Sequence, residues 1–209
     1  FASLYNKKPE YIKSLLDDVG LIPISAHVSL DEMQNDPDKV FSTYKYIGCR
    51  YIAVPYLPED KRPGKPLFYN TLEQITELGK KAKEAGLQLL YHNHDFEFVK
   101  IGEKFGLDVI YETVPKDLLM TQIDTCWVKV AKQDPAEYIR KYKGRAPVVH
   151  LKDFYKDETG KEGKMYDLIG INSKDGKPAD KDSFSFMPLG FGKQDIPAIL
   201  QASKDAGAE

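Results

Sequence analysis

Apolar positions along this chain follow two alternating rhythms. Short runs rich in β-branched and aromatic residues, at 22–27, 51–56, 88–94, 120–124 and 147–151, read as strands. Residues 1–4 read as the tail of one more. Between the runs lie segments of helical period, at 9–19, 37–47, 71–85, 105–114, 135–142 and 196–206. In the third of these, Leu72, Ile75, Leu78 and Ala82 recur at three- and four-residue steps and make one apolar helix face. The ends carry cap chemistry. Asp36-Pro37 and Asp134-Pro135 place an N-capping carboxylate before a proline suited to the first helical turn. Val19-Gly20, Ile47-Gly48 and Ala85-Gly86 end on the glycine that a left-handed C-terminal residue prefers.

Strict strand–helix alternation with short links predicts an α/β fold, a parallel sheet wrapped by helices. An open doubly wound sheet and a closed (β/α)8 TIM barrel both fit. The barrel is favoured because no Gly-x-Gly-x-x-Gly follows any strand. Polar residues also recur at the C-terminal ends of most strands, where barrels build their active sites. Residues 1–209 read as a single domain, with about six strands against the eight a barrel needs. The first strand–helix unit and the last strand are expected to be lacking, and the natural protein is expected to carry further sequence at both ends. The long link over 154–187, rich in Lys, Asp, Gly and Ser, is expected to be a loop serving as a lid.

Composition narrows the partners. Apolar residues make up 42% and charged residues 30%, with a net charge of −2. That balance leaves no basic footprint for nucleic acid. No apolar run approaches the roughly 20 residues that span a bilayer. Cys49 and Cys126 are too few for a disulfide framework and read as reduced thiols, so a cytoplasmic location is expected.

The chemistry gathers at the strand ends. All 4 histidines, His27, His92, His94 and His150, fall at the C-terminal ends of the expected strands. A single histidine there is most often structural, but all of them on the catalytic rim argue for function. Asp124 ends its strand, and Glu97 lies just beyond Tyr91-His92-Asn93-His94. Carboxylates and imidazole from neighbouring strand ends make a mixed oxygen–nitrogen site for Mn²⁺, Mg²⁺, Co²⁺ or Zn²⁺. Asp124 could equally cap the next segment, and Glu97 could be a solvated loop carboxylate. Glu97 also has the opposite parity to His92 and His94, so it turns inward only if the backbone leaves strand geometry after His94. Lys152 shares parity with His150 and either holds a substrate oxygen or snorkels to the rim. Trp127, the only tryptophan, either walls a sugar face or packs in the core.

Several of these segments are similar to one family. Tyr91-His92-Asn93-His94-Asp95-Phe96-Glu97-Phe98 resembles the fifth-strand motif of the sugar phosphate isomerase/epimerase family within the xylose isomerase-like TIM barrel superfamily. Ile123-Asp124-Thr125-Cys126-Trp127-Val128 resembles the sixth-strand motif. Asp134-Pro135 through Gly144-Arg145, and then Val149-His150-Leu151-Lys152-Asp153, resemble the family's next stretch of chain. Ser25-Ala26-His27-Val28-Ser29 is similar to the third-strand segment, and Pro188-Leu189-Gly190-Phe191-Gly192 with Asp195-Ile196 to the segment before the last helix.

The resemblance implies a divalent metal held by a glutamate, an aspartate, a histidine and a second glutamate. On this chain those are Glu97, also the catalytic carboxylate, then Asp124 and His150, with His92 the alternative for the Glu97 position. The second glutamate would lie beyond Glu209. Phe191 departs from relatives that carry Glu between the two glycines. His27, His92, His94, Lys152 and Trp127 are the substrate-binding candidates. The implied activity is isomerisation or epimerisation of a ketose, inosose or keto-sugar, by proton abstraction next to a metal-bound carbonyl. The rivals are a lyase or dehydratase of inosose dehydratase or keto-glycoside lyase type, an endonuclease IV-like nuclease, and an inert sugar-binding barrel. The expected partner is a small sugar or cyclitol, with no nucleic acid and no membrane, and homo-oligomerisation is left open.

Overall fold

The structure is a computed structural model that describes residues 3–156 and 184–209. Among these, five strands form one parallel sheet: β1 (Ser25–His27), β2 (Tyr51–Val54), β3 (Gln88–His92), β6 (Met120–Asp124) and β7 (Val148–His150), in the spatial order β1-β2-β3-β6-β7. Each coincides with an expected strand, trimmed at one or both ends or matching it throughout. Two short strands, β4 (Lys100–Ile101) and β5 (Lys104–Phe105), make a separate antiparallel pair. The helices α1 (Pro9–Asp18), α3 (Pro37–Ile47), α4 (Phe68–Glu84), α5 (Gly106–Thr113), α7 (Pro135–Lys141) and α8 (Ile196–Ala206) complete the strand–helix alternation. This is the parallel arc of a (β/α)8 barrel, with the successive strands in chain order.

Two helices were not among those expected. α2 (Leu30–Asn35) begins at Ser29, whose hydroxyl accepts from Glu32 N at 3.2 Å. Ser-x-x-Glu is a capping signal that the pattern of apolar positions hides in so short an element. α6 (Thr125–Val130) begins at Asp124, whose side chain accepts from Cys126 N and Trp127 N. The strand expected over residues 1–4 is corrected at Ser3 and Leu4, which belong to no strand. Ser3, Tyr5 and Asn6 have φ of 59°, 50° and 58°, and a left-handed backbone cannot continue a strand.

The link over 154–187 is not a plain loop. Its ends pair as an antiparallel ribbon, β8 (Asp153–Lys156) with β9 (Phe184–Met187). The lid expectation concerns residues that lie mostly outside the described ones. Asp153 fastens the ribbon to the segment before α8: its carboxylate accepts from Gly190 N and Gly192 N at 2.9 Å and from Gln194 N at 3.1 Å. A Cβ on Gly192 would collide with that carboxylate, which is why the second glycine stands there.

Period-two alternation gives the sheet two unlike faces. Ala26, Ile52, Val54, Leu89, Tyr91 and Ile123 point to the helices and join the main core. Tyr51, Ala53 and Leu90, with Met120 and Val148 against them, form a small apolar floor on the concave side. The register then staggers the next rows: His27 pairs with Ala53, His92 with Gln122, Gln122 with Val148, and Asp124 with His150. The polar residues therefore rise above the floor at the C-terminal ends of the strands.

Candidate active site

The stagger brings the four histidines together. Ring centroids lie 4.7 Å apart for His27 and His92, 5.1 Å for His92 and His150, and 5.3 Å for His92 and His94. Ala53, between β1 and β3, presents only a methyl group, so the rings of His27 and His92 meet across it. His27, His92 and His150 each offer a ligand atom within 4.8 Å of the other two. The four histidines are thus one group on one face.

Asp124 lies at the centre of a second, overlapping set. One oxygen, Oδ1, accepts from Cys126 N at 2.9 Å and Trp127 N at 3.2 Å, so Asp124 does cap α6. The other, Oδ2, is buried without a hydrogen bond among the described residues. His150 Nδ1 stands 3.5 Å from it, His92 Nε2 3.6 Å and Lys152 Nζ 3.7 Å. The backbone of Asp124 is held from β3, where Asn93 Oδ1 accepts from Asp124 N at 2.9 Å. The same residue is therefore both a cap and a rim carboxylate, because its two oxygens divide the two tasks.

Burial sets the charge states. It pushes the Asp124 carboxyl up to about 7, against the pull of Lys152 and the two capping N–H groups. It pushes His150 down to about 4 and His94 to about 3, with Lys152 adding to both, and holds His92 well below its ordinary value, helped by the other imidazoles. Imidazoles at neutral pH are thus uncharged here, the form that can ligate a metal.

Glu97 is brought elsewhere. The backbone does leave strand geometry after β3, entering a 3-10 turn over Phe96–Phe98. The turn carries Glu97 to the helix-facing side, where Tyr91 Oη donates to Oε1 at 2.6 Å and His94 N to Oε2 at 2.7 Å. Glu97 is fully buried, and burial raises its carboxyl to about 7 although both bonds oppose the shift. It does not join the histidine group.

The remaining candidates line the rim. His94 is buried with Nδ1 lacking a hydrogen bond among the described residues, its ring stacked on Phe96 at 5.1 Å and tilted 39° to Trp127 at 5.3 Å. Lys152 reaches over the rings of Phe186 at 3.9 Å and Trp127 at 5.2 Å before meeting Asp124. Trp127 is 0% exposed and stacks on Phe184, so it touches the site through His94 and Lys152.

One residue escaped the sequence reading. Gln122, two positions before Asp124 and of the same parity, sits among the histidines. Its Oε1 lies 2.5 Å from His27 Nε2 and 3.0 Å from His92 Nδ1, and its Nε2 donates to Ser25 Oγ at 3.3 Å. The only signal for it was a polar side chain in the middle of an inward-facing strand row.

Comparison with known proteins places this geometry. The family described as xylose isomerase-like TIM barrel matches residues 4–209. An inosose dehydratase of Clostridium perfringens (strain ATCC 13124) is 32% identical over 101 residues, 47% of this chain but only 33% of that protein. The matched part is thus about a third of that relative's length. A solved structure of a sugar phosphate isomerase/epimerase from Parabacteroides distasonis ATCC 8503 superposes with a TM-score of 0.71 at 18% identity, covering 98% of this chain and 67% of the other. The structure of IolI protein with a bound zinc atom superposes with a TM-score of 0.67 at 18% identity, covering 99% of this chain and 74% of that one. At such identities the superpositions speak for the fold.

Proposed function

This chain belongs to the xylose isomerase-like TIM barrel family, and from that premise we propose that it is a sugar-modifying enzyme acting at a divalent metal. Its substrate in this reading is a ketose, inosose or keto-sugar, and its first step passes a carbon-bound proton beside the carbonyl to a neutral imidazole next to the ion, His27 in this reading. The observation that carries the reading is Asp124 Oδ2, buried without a hydrogen bond among the described residues and faced by His92 Nε2 at 3.6 Å and His150 Nδ1 at 3.5 Å. A buried carboxylate oxygen whose cationic neighbour, Lys152 Nζ, stands off at 3.7 Å is poorly satisfied, and a cation between it and two neutral imidazoles would satisfy it. The residues present therefore fit a divalent ion, with His92, Asp124 and His150 to hold it and His27 beside them.

When bound, the ion supplies Lewis acidity toward a carbonyl and its neighbouring hydroxyl. Lys152 Nζ, beside Asp124, is placed to donate to a substrate oxygen on which negative charge grows as the proton leaves. His94 offers Nδ1 to a hydroxyl, with Phe96 and Trp127 fixing its ring. Glu97, whose two oxygens are already bonded, holds the backbone of His94 in this scheme.

Two outcomes share that first step. Return of the proton at the same or the neighbouring carbon gives an epimer or isomer, and departure of a β-hydroxyl gives loss of water. The second is favoured by the similarity to the clostridial inosose dehydratase. The test is to incubate ketoses, inososes and 3-keto-glycosides with the protein in D₂O, with Mn²⁺, Co²⁺ or Zn²⁺ or with a chelator. We expect metal-dependent deuterium exchange at one carbon, and the product spectrum then separates the outcomes. Absence of exchange and of product with every substrate and metal would overturn the reading.

A further inference from the structure

We propose that Gln122 is a positioning residue that decides which nitrogen His92 presents to Asp124. The inference rests on the metal reading of His92, Asp124 and His150. It starts from register: β3 and β6 pair His92 with Gln122, so the two side chains rise next to each other from the concave face. On the other side, the small Ala53 lets His27 reach the same point.

Both rings converge on one atom. Gln122 Oε1 lies 3.0 Å from His92 Nδ1 and 2.5 Å from His27 Nε2. The amide nitrogen is turned away and donates to Ser25 Oγ at 3.3 Å, at the start of β1. A carbonyl oxygen has two lone pairs and accepts both N–H groups, and a neutral imidazole carries one N–H and one lone pair. With its proton on Nδ1, His92 keeps its lone pair on Nε2, the nitrogen 3.6 Å from Asp124 Oδ2. With its proton on Nε2, His27 completes the pair and steadies the amide. The opposite orientation of the amide would donate to both rings. It would then place the His92 proton on Nε2, against Asp124, and leave no lone pair there for a metal. With its carbonyl oxygen toward the rings, Gln122 therefore sets the tautomer, as the partner of the second ring nitrogen does at metal-binding histidines generally.

The first measurement needs no variant. Long-range ¹H–¹⁵N spectra of the metal-free protein should find His92 protonated on Nδ1 and His27 on Nε2. His92 protonated on Nε2 overturns the proposal. The second is a Co²⁺ titration followed by its visible absorption. Gln122→Leu should weaken Co²⁺ binding by about 10–100-fold, the usual cost of losing such a partner, and change the band shape. Gln122→Glu, which keeps an acceptor oxygen at the same reach, should retain binding. A folded Gln122→Leu protein with unchanged affinity and spectrum also overturns it, and if that variant does not fold, the tautomer spectrum and Gln122→Glu decide. Wild-type protein that takes up no Co²⁺ would overturn the metal reading instead, and the tautomer spectrum would still decide the part played by Gln122.

Discussion

The two faces of the same five strands obey opposite rules. Toward the helices, Ile52, Val54, Leu89, Tyr91 and Ile123 are buried among apolar neighbours, and almost every contact there is interchangeable in kind. Toward the barrel axis, a small apolar floor gives way within one rung to His27, His92, Gln122, Asp124 and His150. One face is held by area removed from water, which is insensitive to detail. The other holds buried polar groups that are stable only when each finds its partner, and Asp124 Oδ2 has ion-pair neighbours but no hydrogen bond among the described residues. Neighbouring residues of one strand therefore answer to different tests: stability on one side, ligand affinity on the other.

The sharpest way to break this contrast is Leu89→Ala. Leu89 is fully buried on the helix side of β3. Its truncation should cost about 2–5 kcal/mol of stability through lost transfer energy and a cavity, read by urea denaturation. Co²⁺ affinity of the folded protein should not change. A loss of affinity matching the loss of stability would show that the two faces are not separable.

Asp124→Asn probes the other face. Asparagine is as good an N-cap as aspartate, so α6 should hold and the denaturation midpoint should barely move. A neutral amide is a poor metal ligand, so Co²⁺ affinity should fall by at least about 100-fold, beyond what loss of an outer partner costs. Wild-type affinity in this variant would remove Asp124 from the metal set.

The smallest effect concerns Glu97, a polar group on the apolar face. Burial raises its folded-state pKa from 4.5 to about 7. Between those values the folded state binds a proton that the unfolded state has released, so stability falls as pH rises through that window and levels off above it. Asp124, raised from 3.8 to about 7, adds a slope of the same sign in metal-free protein. Glu97→Gln should flatten part of the slope in denaturation curves between about pH 5 and pH 7. An unchanged slope would mean that Glu97 is not titrating there.

Much of this was legible without coordinates, for definite reasons. The helix ends were signed by Asp36, Asp134 and Gly48, and the structure finds the first two as caps and Gly48 left-handed with φ of 111°. The gathering of the histidines followed from parallel strands alone, since their C-terminal ends share one side. The side Glu97 takes could not be read from the sequence because it depends on the turn after β3: parity set it opposite to His92 and His94, only a departure from strand geometry could reverse that, and the 3-10 turn over residues 96–98 does not. Gln122 was passed over because a polar residue mid-strand is a weak signal until its cross-strand neighbours are known. α2 escaped because its six residues hold too few apolar positions to show a period, although Ser29 and Glu32 were in plain view.

What the sequence determined by itself was therefore the order of the elements, the face each strand residue takes, and the presence of imidazoles and carboxylates at one end of the sheet. These come from period and chain direction, which are local. The pairing across strands came from the folded molecule alone: His92 beside Gln122, Asp124 beside His150, His27 reaching over Ala53, and Glu97 turned away to Tyr91. Alternation tells a residue which side to face but not how far along its neighbour it will stand. That stagger is the hydrogen-bonded register of each strand pair, and it determines which histidines come to face Asp124.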